Sequence, residues 1–154
     1  MSATPFQINL LAAWGGILAG FLTGLALGLG FHGEQWLGGY TSFKRRLLRL
    51  GHISLFALGV VNLCFYFTAR ELPVSAGLAI ASGALILGAA SMPVCCAVTA
   101  FLPRARTWFA LPVLSLALGA AITILTLAGV MGGVQPGQPV AAGLGKPAAA
   151  SSVE

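Results

Sequence analysis

Negative charge is what this sequence has least of. Asp and Glu together number three among 154 residues, and all three are glutamates: Glu34, Glu71 and Glu154. Classical acid/base chemistry and carboxylate metal sites have almost nothing to draw on. Charge of either sign is sparse, at 7% of residues, where a soluble domain carries about 25%. Only three cysteines occur, Cys64, Cys95 and Cys96, with no CxxC pair. Adjacent cysteines on a helix point about 100° apart, so no disulfide framework is expected. GxSxG, Walker A and HExxH patterns are absent from the chain, which leaves hydrolase, nucleotide-binding and zinc-protease chemistry without a signature.

Where charge is missing, apolar residues fill the space. Hydrophobic residues make up 58% of the chain and the mean hydropathy is +0.94. No Asp, Glu, Lys or Arg precedes Glu34, and none lies between Arg49 and Arg70, between Glu71 and Arg104, or between Arg106 and Lys146. A helix needs about 20 apolar residues to cross the hydrocarbon core, and each interval is long enough. The alternating polarity of a membrane strand is absent. The sequence therefore predicts an all-α membrane protein with four transmembrane helices in an up-down bundle, over residues 10–31, 43–68, 75–102 and 108–131. Residues 1–131 form the membrane domain, and 132–154 a Gly/Pro/Ala-rich tail expected to be disordered on its own. The first segment has no basic n-region, and it exceeds the roughly 7–15-residue core of a signal peptide, so it reads as an uncleaved helix.

Basic residues give the expected orientation. Lys44, Arg45, Arg46, Arg49, Arg104 and Arg106 fall on one side, and only Arg70 and Lys146 on the other. The positive-inside rule puts the first and third loops in the cytoplasm and both termini on the non-cytoplasmic side, in a bacterial inner membrane. Trp36, Tyr40 and Trp108 stand where interfacial anchors belong. The net charge of +5 is accounted for by topology and anionic lipid headgroups, so no nucleic-acid partner is expected.

Small residues mark packing surfaces. Gly16, Gly20, Gly24 and Gly28 repeat every four residues along one face of the first helix, a glycine zipper that lets another backbone approach. The third helix carries small residues around most of its circumference, and Pro93 predicts a kink near Ala89. The fourth offers Ser115, Gly119 and Thr123 at four-residue spacing.

The second helix holds the residues that lipid does not explain. His52, Leu55, Gly59, Asn62 and Tyr66 recur at 3-4-3-4 spacing, one seam that should face protein. Intramembrane polar groups are costly and so are candidates for function, or for hydrogen bonds between helices. His32 and His52, the only histidines, both fall toward the basic end. They define a candidate b-type haem or quinone site, because imidazole ligates haem iron and can exchange a proton. Met92, Cys95 and Cys96 could join them around Cu(I), although sulfur side chains also serve as apolar filler, so no metal site is expected. In outline the chain is similar to small b-type cytochromes, but the four paired histidines of the di-haem members are missing. Two functions are thus expected to compete. One is a non-catalytic subunit or assembly partner of a larger, energy-transducing membrane complex; the other is a haem- or quinone-linked electron-transfer protein using His32 and His52.

Overall fold

A computed structural model describes residues 6–133; the tail from residue 134 onward lies outside the described residues. Four long helices account for most of the described chain: α1 (Gln7–Gly30), α2 (Phe43–Arg70), α3 (Ala76–Phe101) and α4 (Ala110–Gly133). All four are long and apolar enough to cross a membrane. Helix and barrel are the only ways to satisfy every backbone group in hydrocarbon, and this chain uses the helix.

The ends follow local chemistry. Ser42 caps α2, its hydroxyl accepting from the Arg45 amide at 3.2 Å, and Ser75 caps α3 by accepting from the Leu78 amide at 3.3 Å. Each cap satisfies one of the four amides that a helix start leaves unpaired. Helix α1 begins three residues earlier than hydropathy suggests, and α2 runs on to Arg70. Between α3 and α4 the chain takes a 3-10 helix, Pro103–Phe109, so α4 opens at Ala110 rather than Trp108. Pro112 lies in its first turn, where a missing amide costs no hydrogen bond. α3 continues through Pro93 without a break.

Contacts run in chain order: α1 on α2, α2 on α3, α3 on α4. Helix α1 meets α3 less extensively, and the main helical partner of α4 is α3. The two outer helices are accordingly open. Within the central span, 11% of residues are buried in α1 and in α4, against 33% in α2 and in α3.

Close approach is built on glycine. A Cβ added at Gly16 would lie 3.1 Å from the Leu55 carbonyl oxygen, and one at Gly59 would lie 3.0 Å from that of Ala13. Farther along, Gly20 receives the Phe56 ring and Gly24 the His52 ring. Residue numbers rise on α1 as they fall on α2, so the pair is antiparallel. α3 and α4 pack by exchange: Leu116 fills the notch at Gly88, and Leu85 fills the notch at Gly119.

Two devices hold the ends. Near the start of α1 a buried polar knot joins three helices. Asn9 Nδ2 donates to Asn62 Oδ1 at 2.9 Å, Ser82 Oγ donates to Asn9 Oδ1, and Asn62 Nδ2 donates to the Leu58 carbonyl at 2.9 Å. Both asparagines are fully buried. Beside the knot sits an apolar cluster of Phe65, Ala69, Leu72, Leu78, Ala81 and Leu85. At the opposite end the α1–α2 loop folds over buried Arg45. The Arg45 guanidinium lies 5.3 Å from the Phe31 ring centre and 5.6 Å from that of Trp36, and it donates to the Gly33 carbonyl at 2.6 Å. Left-handed backbone at Leu37, Gly38 and Gly39 (φ 55°, 87° and 87°) turns the chain there. This conformation is easy for glycine and uncommon for leucine.

The crossing at Gly16 and Gly59 gives a direct expectation. Gly59→Leu overfills it and should destabilise the protein by about 1–3 kcal/mol, read as a lower melting temperature in mild detergent. Gly28→Leu is the control, because a Cβ at Gly28 meets nothing within 4 Å. Equal stability of the two variants would contradict this packing.

Candidate functional site

The seam of α2 meets α1 along most of its length. Gly59 forms the crossing, Asn62 enters the polar knot, and His52 lies against Gly24. Tyr66, buried beyond the knot, carries Arg70 5.8 Å from its ring centre. Of the expected glycine face, Gly16, Gly20 and Gly24 touch α2, whereas Gly28 faces open space.

α1 and α3 are joined at Asn9 and Ser82, and away from that point a groove runs between them with α2 as its floor. Its first part has a volume of about 310 Å³, with Ala12, Gly15 and Ala19 on one wall and Ala89, Ala90 and Pro93 on the other. Its continuation, about 170 Å³, is lined by Thr23 and Leu27 of α1, Leu48 and His52 of α2, and Pro93 and Ala97 of α3. Leu55 and Pro93 border both parts. Proline carries no amide hydrogen, so the Ala89 carbonyl loses its usual helical donor beside the groove.

One polar pair lines the inner part. His52 Nδ1 and Thr23 Oγ1 are 3.1 Å apart, and Thr23 Oγ1 also lies 2.8 Å from the Ala19 carbonyl oxygen. A hydroxyl has a single proton. When Thr23 gives it to Ala19, its oxygen is left to accept from Nδ1–H of His52. The His52 ring also meets Phe56 edge-on, their centres 5.3 Å apart.

The two histidines stand at different depths. His52 is level with Gly24, and His32 lies in the turn beyond Gly30, exposed. The six residue steps from Gly24 to Gly30 alone span ~9 Å of helix axis, so His32 sits at least that much nearer the basic end than His52. Among the described residues, no three His, Cys, Asp or Glu side chains are grouped to hold a metal ion. Cys95 Sγ donates to the Trp108 carbonyl at 3.5 Å, Cys96 is buried close to Gly51, and Cys64 is exposed.

Asn9, Ser82 and Thr23 are the site residues that sequence reasoning missed. Asn9 carried a usable signal: stepping back from Gly16 by three and then four residues reaches Ala13 and Asn9, both buried on the same face. Ser82 carried none, since α3 has small residues on every side. Comparison with protein-family models, curated proteins and solved structures finds no match to the chain.

Proposed function

We propose that this chain is a non-catalytic membrane subunit that receives a transmembrane helix of another protein in the groove between α1 and α3. The observation that carries this reading is the pair of small-residue walls, Ala12, Gly15 and Ala19 facing Ala89 and Ala90. Such walls expose backbone, and close backbone approach is what drives helix association in lipid. A Cβ at Gly15 meets nothing within 4 Å among the described residues, so packing within them does not require glycine there. The low burial of α1 and α4 leaves further faces for a complex. Its orientation, with basic loops cytoplasmic and both termini outside, is supported by the six-to-two split of basic residues. Protease added to sealed right-side-out vesicles should spare Arg104 and Arg106; cleavage there would reverse the assignment.

Gly15→Leu provides the main test. Gly15 lines the groove, and a Cβ added there meets nothing within 4 Å, so the added side chain grows into the space the partner would occupy. Purified gently from native membranes, the wild-type protein should bring a membrane partner, and Gly15→Leu should lose it while keeping wild-type thermal stability. Retention of the partner by Gly15→Leu would remove the groove from the account. A colourless preparation is expected. A Soret band abolished by His52→Ala would favour the electron-transfer reading instead.

A further inference from the structure

The basic end of α2 carries a second, chemically different cleft. It has a volume of about 510 Å³ and is lined by Tyr40, Thr41, Arg46, Arg49, Leu50 and Ile53. Its upper part is cationic and its lower part apolar. Arg46, Leu50 and Ile53 stand at i, i+4 and i+7, one face of α2 descending from the loop into the span. Leu50 and Ile53 are 44% and 59% exposed, so the apolar wall is open to the hydrocarbon.

The upper part is pre-organised. Arg49 donates from Nη2 to the Tyr40 carbonyl at 3.0 Å and from Nε to the Arg45 carbonyl at 3.4 Å. Its guanidinium lies 4.7 Å from the Tyr40 ring centre. These contacts fix the group and leave Nη1 with donors to spend. Arg46 is exposed beside it and enters none of the hydrogen bonds or ring contacts that occupy Arg45, Arg49 and Arg106. Among the described residues no carboxylate lines the cleft, so the charge of the two arginines is left for an anion to answer.

We propose that this cleft binds an anionic phospholipid, its phosphate held by Arg46 and Arg49 with the Thr41 hydroxyl in reach, and an acyl chain along Leu50 and Ile53. Phosphate is the shared chemistry of a headgroup and a free ion. The apolar wall selects the lipid, because a free ion would leave Leu50 and Ile53 unused. Net negative charge selects within lipids, because the ammonium of a zwitterionic headgroup finds no acidic partner here. The site is separate from the groove between α1 and α3 and does not depend on the function proposed for it.

Native mass spectrometry of the delipidated full chain tests the site with three probes: phosphatidylglycerol, phosphatidylcholine of the same acyl composition, and inorganic phosphate. Phosphatidylglycerol should bind as a discrete one-to-one adduct, and Arg46→Ala should weaken it about fivefold. Arg104→Ala, which removes the same charge elsewhere on this surface, should leave it unchanged. Three results would each overturn the proposal: equal retention of phosphatidylcholine, equal losses in the two variants, or displacement of the lipid by equimolar inorganic phosphate.

Discussion

Two apolar helices in hydrocarbon gain little by leaving lipid for each other, so their association rests on close packing and on polar groups that lipid cannot satisfy. Here that constraint is met by the hydrogen bonds among Asn9, Asn62 and Ser82. An unpaired carboxamide in hydrocarbon costs several kcal/mol, and each member of the knot relieves another. The knot fixes the level at which α1, α2 and α3 meet. From there Gly16 and Gly59 settle against opposing carbonyls, and the apolar cluster around Phe65 and Leu78 fills the adjoining space. What the knot does not reach stays open: α1 and α3 are joined at one level, and the groove lies on the other side of it.

The basic end solves a different problem. The chain holds eight Lys and Arg but only three Glu, so its cations cannot rely on carboxylates. Aromatic faces take that role. Lys44 stands over Phe101, Arg45 between Phe31 and Trp36, Arg49 over Tyr40, and Arg106 over Phe43. Each such contact contributes about 0.5–1 kcal/mol when exposed and more when desolvated. Arg45 is the desolvated one, at 4% exposure, and it organises the loop that closes over it. Arg46 is left without a ring, and its position beside the fixed Arg49 is the reason this surface can take up an anion.

The four spans were legible because charge marks their limits: a single Lys or Arg in mid-membrane is costly enough to bound a segment by itself. Periodicity found the seam from His52 to Tyr66, since His52, Asn62 and Tyr66 fall on one face of an otherwise apolar stretch. Helix order and openness were not legible. α3 and α4 are apolar around nearly their whole circumference, so no stripe says which of their faces meet and which face lipid. Asn9 was missed because it stands one residue before the expected start of the first span at residue 10, although the face of Gly16 and Ala13 leads back to it. The spacing of His32 and His52 places both toward the basic end, and His32 stands nearer the surface, in the turn beyond Gly30. The Gly16, Gly20 and Gly24 positions read from spacing do meet α2, while a Cβ at Gly28 meets nothing within 4 Å.

The central claim is that a buried polar knot, rather than apolar complementarity alone, holds α1 to α2. A double-mutant cycle with Asn9→Leu, Asn62→Leu and the pair, measured as unfolding free energy in bilayers, tests it directly. Either single change strands one carboxamide, and the double change removes both, so the effects should fall short of additive by about 1 kcal/mol. Additivity to within about 0.3 kcal/mol would contradict the account.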